Sequence, residues 1–390
     1  MKILMLASGT SPHTRRSLKW LFDSGQDVIL VDKNHPGFEE SKQFKFILYP
    51  VARLRRYYSW LGKSNAEHIA QCTIIFQLKM IKHKSKADLT HVFWVNKRAY
   101  QVVKARLHPL ILSVLGSDVN RFFEEKCSYD DRVNMGKVLA SADLVLVDSV
   151  EMISRCQTLA EGKAKVIFFP IGINTKSFSV DYSKQANQWK EKLKIEKDGI
   201  ALVSFRAMNP IYNHHLILDA FFAAIPHLLC PAYLIFKDFN MQEKAYKEKL
   251  KEQVKQRGVE NKVRWVEEDI PDCELPAFYS FADVFINFPT YDAFPISFVE
   301  AAAAGKPVIS CCLPAYKETF AEKYFTMIEK KNVDALTKEI IRFVNCETNN
   351  NLEGRKQAKE WVQANYDESK SKENLLNIYQ VLIENKHNFA

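Results

Sequence analysis

No stretch of this 390-residue chain approaches the roughly 20 apolar residues that a membrane-spanning helix requires. A helical integral membrane protein is therefore excluded. The opening residues, MKILMLAS, carry one positive charge and too short an apolar run for a secretory signal, so a cytoplasmic location is expected. Eight cysteines are present, but none forms a Cys-x-x-Cys pair, and Cys311 and Cys312 are adjacent. In so long a chain this is neither a disulfide framework nor a zinc site, and the thiols read as reduced core residues. The glycine-rich dinucleotide fingerprint is also missing, since the first strand pattern runs into Gly9-Thr-Ser-Pro with a single glycine. That argues against a dehydrogenase. No Asp-x-Asp type pair stands at a strand end, so no metal is expected. Repeats and disordered tracts are lacking as well. With 47% hydrophobic and 26% charged residues, the composition is that of a soluble globular protein long enough for two domains.

What is present is an alternation of strand and helix patterns in both halves. Residues 2–8 form a buried-strand run, followed by a turn in which Ser11 caps a helix and Pro12 opens it, with Leu18, Leu21 and Phe22 at helical spacing. Residues 26–32 form a second strand, and strand patterns recur at 110–115, 144–147 and 166–169. In the second half they recur at 200–205, 233–237, 263–266, 284–288 and 307–311. The fold class predicted is α/β, with two Rossmann-like halves built on parallel sheets.

Residues 292–310, DAFPISFVEAAAAGKPVIS, are the most informative stretch. A β-branched and aromatic run ends at Pro289-Thr290, an Ala-rich helical pattern spans 298–304 and stops at Gly305, and a strand pattern resumes after Lys306. The unit is strand, loop, helix, strand. Asp292 lies in the loop and Glu300 in the helix's early turns, at the carboxyl end of a strand where open α/β sheets bind ligands. Backbone amides there suit phosphate, and carboxylates suit sugar hydroxyls.

This stretch resembles the acidic signature of retaining glycosyltransferase family 4, usually an acid, Gly, aromatic, Gly, four residues and Glu. Asp292, Phe294 and Glu300 match, whereas Ala293 and Pro295 replace the glycines, and Pro295 offers no N–H. Four further segments are similar to the family in the family's order. Residues 202–206 with 209–213 resemble the strand and loop whose Arg, here Arg206, binds the donor diphosphate; Phe205 replaces the usual Gly, and Asn213 stands near the place of a frequent Lys. Gly116-Ser-Asp118 resembles a turn of the N-terminal domain, and Phe169 to Asn174 an interdomain connector. The terminal helical pattern with Tyr379 resembles a helix that returns to the first domain.

The resemblance implies a GT-B fold of two facing Rossmann-like domains. Residues 1–172 with a returning helix at 366–385 would bind acceptor, and residues 178–365 would bind nucleotide sugar. It further implies transfer of a hexosyl-type sugar from a UDP- or GDP-sugar, with retention and without metal or other cofactor. The donor residues implied are Arg206, Asn213, Asp292, Ala293, Phe294, Pro295 and Glu300, with Glu300 on ribose and Asp292 on the sugar. Asp292, Glu300, His13 and Asp118 are the candidate catalytic-site residues, with neither Asp292 nor Glu300 proposed as a nucleophile. His13, in the first helical turn after the first strand, would look into the cleft, and Asp118 reads either as an acceptor-side carboxylate or as a helix cap. His91 reads as a buried, hydrogen-bonded strand residue, and the His214-His215 pair, lacking ligand spacing, is given no role. A non-catalytic nucleotide-sugar binder and a GT-B sugar-nucleotide epimerase stay open as alternatives.

Charge is unevenly divided. Residues 1–175 hold 26 Lys+Arg against 16 Asp+Glu, and residues 176–390 hold 29 against 30. Within the first half, residues 51–106 hold twelve basic side chains against Glu67 and Asp88. Arg53, Arg56, Trp60 and Lys63 share one helical spacing, and Lys79, Lys82 and Lys86 another. Basic amphipathic helices with interleaved aromatics suit an anionic membrane surface. A peripheral position on the inner membrane face, a lipid-linked acceptor and a role in cell-surface polysaccharide biosynthesis (lipopolysaccharide, O-antigen or capsule) are therefore expected. An ordinary solvated helix face accounts for the charge equally. No nucleic-acid motif accompanies it, and no nucleic-acid partner is expected.

Overall fold

The computed structural model describes residues 1–32, 45–48, 56, 60, 62–238, 243–317, 319–346 and 352–387. The chain divides into two compact units, Met1–Ile171 with Ser369–Ala390, and Gly172–Glu368.

The first unit is built on a seven-stranded sheet in the order β3-β2-β1-β4-β5-β6-β7. Its strands are β1 (Lys2–Leu6), β2 (Asp27–Asp32), β3 (Lys45–Leu48), β4 (Leu89–Phe93), β5 (Leu110–Ser113), β6 (Leu144–Val147) and β7 (Val166–Phe168). All pairings are parallel. Every residue of β4, β5 and β6 is buried, as near-continuous apolar strands covered on both faces must be. The strand order reverses between β1 and β4. Helix α1 (Pro12–Asp23) follows β1; Ser11 occupies the cap position and Pro12 the first turn, but the Ser11 side chain makes no cap bond.

Ser369–Ala390 belongs to this unit, carried by the helix Glu368–His387. Its Tyr379 is buried, and the hydroxyl lies 2.6 Å from Nδ1 of His91 on β4, whose Nε2 lies 2.8 Å from Ser113 Oγ on β5. The hydroxyl of Ser371 donates to the Pro170 carbonyl at 2.9 Å. His91 is thus a satisfied core residue that fastens the C-terminal helix to the sheet. Residues 366–368, assigned to the returning helix on sequence, group with the second unit; Ile173 N–H donates to the Tyr366 carbonyl, and Glu368 N–H to the Ile173 carbonyl, both at 2.8 Å.

The second unit holds a six-stranded parallel sheet in the order β10-β9-β8-β11-β12-β13. The strands are β8 (Ile200–Ser204), β9 (Ala232–Lys237), β10 (Val263–Val266), β11 (Val284–Asn287), β12 (Val308–Cys311) and β13 (Thr326–Ile328). Order reverses again, between β8 and β11. The carboxyl ends of strands at such a reversal are where open α/β sheets receive ligands. No helix among the described residues is long and apolar enough to cross a membrane.

Candidate functional site

Arg206 lies two residues beyond β8 and Asp292 five beyond β11, so the strand reversal alone brings these residues, 86 positions apart, to one crevice. There they form an ion pair. Arg206 Nη2 is 2.9 Å from Asp292 Oδ1 and 2.8 Å from Oδ2, with side chains 13% and 10% exposed. Tyr212 covers the guanidinium, its ring centroid 4.1 Å from the Arg206 carbon. The Ala293 N–H donates to Asp292 Oδ1 at 3.0 Å and the Tyr316 hydroxyl to Oδ2 at 2.9 Å. Tyr316, in the turn after β12, itself accepts from Asn287 Nδ2 at 3.1 Å.

Electrostatics follow from this burial. Desolvation disfavours the charged guanidinium, yet Asp292, with Tyr212 and Tyr316, outweighs it and holds Arg206 above its ordinary range. For Asp292 burial is the largest influence and raises the carboxyl, opposed by Arg206, Tyr316 and the Ala293 amide. Tyr316 sits well above its usual value, through burial first and Asp292 second, so its hydroxyl keeps the proton it donates. The sequence expectation assigns Arg206 to a diphosphate and Asp292 to a sugar. The two groups here face each other.

The remaining expected donor residues are placed as follows. Glu300, on the helix Ile296–Ala303, is 3% exposed and accepts from the buried Tyr279 hydroxyl at 2.8 Å, so one oxygen expected to meet ribose meets a tyrosine. Phe294, expected among the donor-binding residues, has its ring buried among Phe298, Tyr316, Phe320 and Tyr366. A ring with four aromatic neighbours anchors its loop to the core. The Ala293 amide is taken by Asp292, and Pro295, in extended conformation, caps the helix. Asn213, standing near the place of a lysine, is buried at φ 50°, and its amide nitrogen donates to the Phe288 carbonyl at 2.9 Å and to Thr290 Oγ1 at 3.0 Å. It laces the loop after β8 to the loop after β11, a conformational task Asn tolerates better than Lys. His214 is fully buried, ringed by Tyr212, Phe236 and Tyr246, and burial, then the Arg206 charge, lowers its pKa to about 3.

At the corresponding edge of the first unit, His13 lies half-buried in the first turn of α1. Asp118 is buried and accepts from the Val95 N–H at 2.9 Å and from the Leu115 N–H. Burial raises its carboxyl to about 6 against these backbone bonds. Of the two sequence readings, cap or acceptor-side carboxylate, the geometry shows a clamp that ties the loop after β4 to the loop after β5. Next to Val95, Trp94 takes a left-handed φ of 69° and leaves its indole 44% exposed. Asp32, ending β2, accepts from the Gly9 N–H at 2.9 Å and from Arg98 Nη2 at 3.0 Å.

The sequence reading assigned no role to Tyr212, Tyr316, Asn287, Tyr279 or Trp94, although Tyr212 stands within the quoted loop 209–213. In the basic segment, Lys82 departs from its expected stripe: its ammonium donates to Thr90 Oγ1 of β4 at 3.1 Å. Arg56, Trp60 and Lys79 are exposed, whereas Arg53 lies outside the described residues.

Two family models divide the chain between them. One described as "Glycosyl transferase 4-like" matches residues 2–149, and one described as "Glycosyl transferases group 1" matches residues 185–366. The chain belongs to the GT4-type glycosyltransferases. Solved structures agree on the fold. Sucrose-phosphate synthase from Thermosynechococcus elongatus superposes with a TM-score of 0.78 at 16% identity, covering 98% of this chain and all of that one. Anabaena HepE in complex with UDP-glucose gives 0.72 at 16% identity, covering 98% and 100%, and a glycosyltransferase from Rickettsia africae gives 0.75 at 14%, covering 98% and 99%. No curated protein sequence matches the chain. The fold of this glycosyltransferase is GT-B, α/β with two parallel sheets.

Proposed function

We propose that this glycosyltransferase moves a sugar from a nucleotide diphosphate sugar to an acceptor, with retention and without a metal, the second unit holding the donor and the first the acceptor. The observation that carries this reading is the Arg206–Asp292 pair at the strand reversal, one cation and one carboxylate from the two loops that flank the crevice. In this reading Arg206 and the amides opening the helix Ile296–Ala303 stabilise the departing diphosphate. Asp292 meets the sugar hydroxyls, and Glu300, its carboxylate steadied by Tyr279, meets the ribose. UDP-glucose in the HepE complex supports a UDP-sugar, with a GDP-sugar as the other donor.

A thermal-shift screen against UDP-, GDP-, ADP- and CMP-sugars tests the donor assignment, since ligand at 100 times Kd adds about 2.7 kcal/mol. The expected result is a rise in Tm with a UDP- or GDP-sugar, and release of the nucleoside diphosphate once acceptor is added. A sugar nucleotide that binds and is returned unchanged with every acceptor would favour a non-catalytic binder, a reading that Ala293, Pro295 and the buried Glu300 support. Conversion of donor alone to an isomer would favour the epimerase.

The acceptor reading, a lipid-linked or cell-surface glycan handled at an anionic membrane, rests on the helix Lys63–Ser85. Its outward face presents Cys72, Phe76 and Met80 at four-residue spacing beside Lys79, His83 and Lys84, with Phe76 64% exposed. Apolar side chains between exposed cations fit the interfacial pattern. Sedimentation with anionic vesicles is expected to show binding that weakens as salt shortens the Debye length from about 10 Å at 0.1 M to about 3 Å at 1 M. Phe76→Ser with Lys79→Glu and Lys84→Glu should lose it, whereas Lys82→Ala should not. Equal partitioning onto neutral vesicles, or unchanged binding by the triple variant, would leave a soluble acceptor as the better reading.

A further inference from the structure

We propose that Asp292 is an internal counter-ion that holds Arg206 until the diphosphate of the donor displaces it, with Tyr316 as the positioning residue that sets how firmly it holds. The proposal rests on the donor reading above and adds to it a competition built into the site. Arg206 is the single basic residue of the loop 205–213, and no lysine follows it where Asn213 stands. Its charge is therefore the loop's whole attraction for phosphate. Asp292 cancels that charge, with both carboxylate oxygens within 2.9 Å of Nη2. Tyr212 covers one face of the guanidinium, so a phosphate must approach its N–H edge, where the carboxylate already holds Nη2.

The carboxylate is held for this contact by two further donors, one of them itself braced. The Ala293 N–H binds Oδ1, the Tyr316 hydroxyl binds Oδ2, and Asn287 Nδ2 donates in turn to the Tyr316 oxygen. Phe294, next in the chain, is locked into the aromatic cluster and keeps the loop in register. When a diphosphate takes Arg206, the Tyr316 and Ala293 donors keep the freed carboxylate hydrogen-bonded. It is then available to sugar hydroxyls, which donate where the guanidinium did. One carboxylate serves the empty and the occupied site in succession.

Calorimetric titration with UDP and GDP, and with uridine and guanosine as controls lacking phosphate, tests this on the wild type, Asp292→Asn and Tyr316→Phe. Asp292→Asn is expected to bind the preferred nucleoside diphosphate tenfold or more tightly than wild type, while nucleoside affinity is unchanged. Tyr316→Phe, which removes one of the carboxylate's donors, should fall between the two. A merely structural Asp292 would lower both affinities together. Diphosphate binding that is equal or weaker in Asp292→Asn overturns the counter-ion role and leaves the donor reading standing. Absence of binding in all three proteins overturns both.

Discussion

Arg206→Ala is expected to lower kcat/KM by about 10- to 100-fold, the loss of one charge-assisted contact to the leaving diphosphate, and to destabilise the second unit as well. The second effect follows from burial. Removing one partner of a buried pair strands the other charge, which costs about 3–5 kcal/mol, even though Tyr316 and the Ala293 amide still donate to Asp292. Activity and stability can be separated by adding Asp292→Asn to Arg206→Ala. The double variant should regain most of the lost stability, because no uncompensated charge remains, but none of the lost turnover. Urea unfolding and product-release kinetics on the four proteins of this cycle measure both. Wild-type turnover in Arg206→Ala would remove Arg206 from the donor site, and equal destabilisation in the single and double variants would show that the pair contributes no specific charge coupling.

The central strands were legible because parallel strands buried on both faces are written as near-continuous apolar runs, as in Leu144–Val147 and Leu110–Ser113. Thr326–Ile328, only partly buried, and Lys45–Leu48 were not foreseen; both stand at sheet edges, where a strand is not obliged to be apolar on both faces. Arg206 and Asp292 were each visible through their motifs, but their pairing was not, since it depends on β8 and β11 being neighbours in a sheet order that local sequence does not encode. Phe294 has a packing role that its motif did not signal. Its motif position suggested a ligand contact, whereas the aromatics that absorb it come from positions 298, 316, 320 and 366. Lys82 illustrates a further limit: helical spacing defines a stripe of Cβ positions, and a long side chain can still turn back to a neighbouring strand, here to Thr90.

Acid is expected to weaken both units as the pH falls below about 6.5. His91 in the first unit and His214 in the second are fully buried, and burial lowers each to about 3, with the charge of Arg206 adding to the effect at His214. In the unfolded chain a histidine titrates near 6.5. Below that value the unfolded state takes up protons that the folded state refuses, so the stability is complete above about pH 6.5 and is lost as the pH falls toward 3. At 1.36 kcal/mol per pH unit, a fall from 6.5 to 5 costs about 2 kcal/mol per histidine. Urea unfolding at pH 7 and pH 5 measures the loss. His214→Phe, placing an apolar ring among Tyr212, Phe236 and Tyr246, should remove the second unit's share of it. In the first unit, protonating His91 turns a nitrogen that bonds Tyr379 or Ser113 as acceptor into a donor, and the amides of Glu368–His387 should then exchange faster at pH 5 than intrinsic rates predict. Equal stability at the two pH values, or a pH dependence that persists undiminished in His214→Phe, would show that these histidines accept protons in the folded protein.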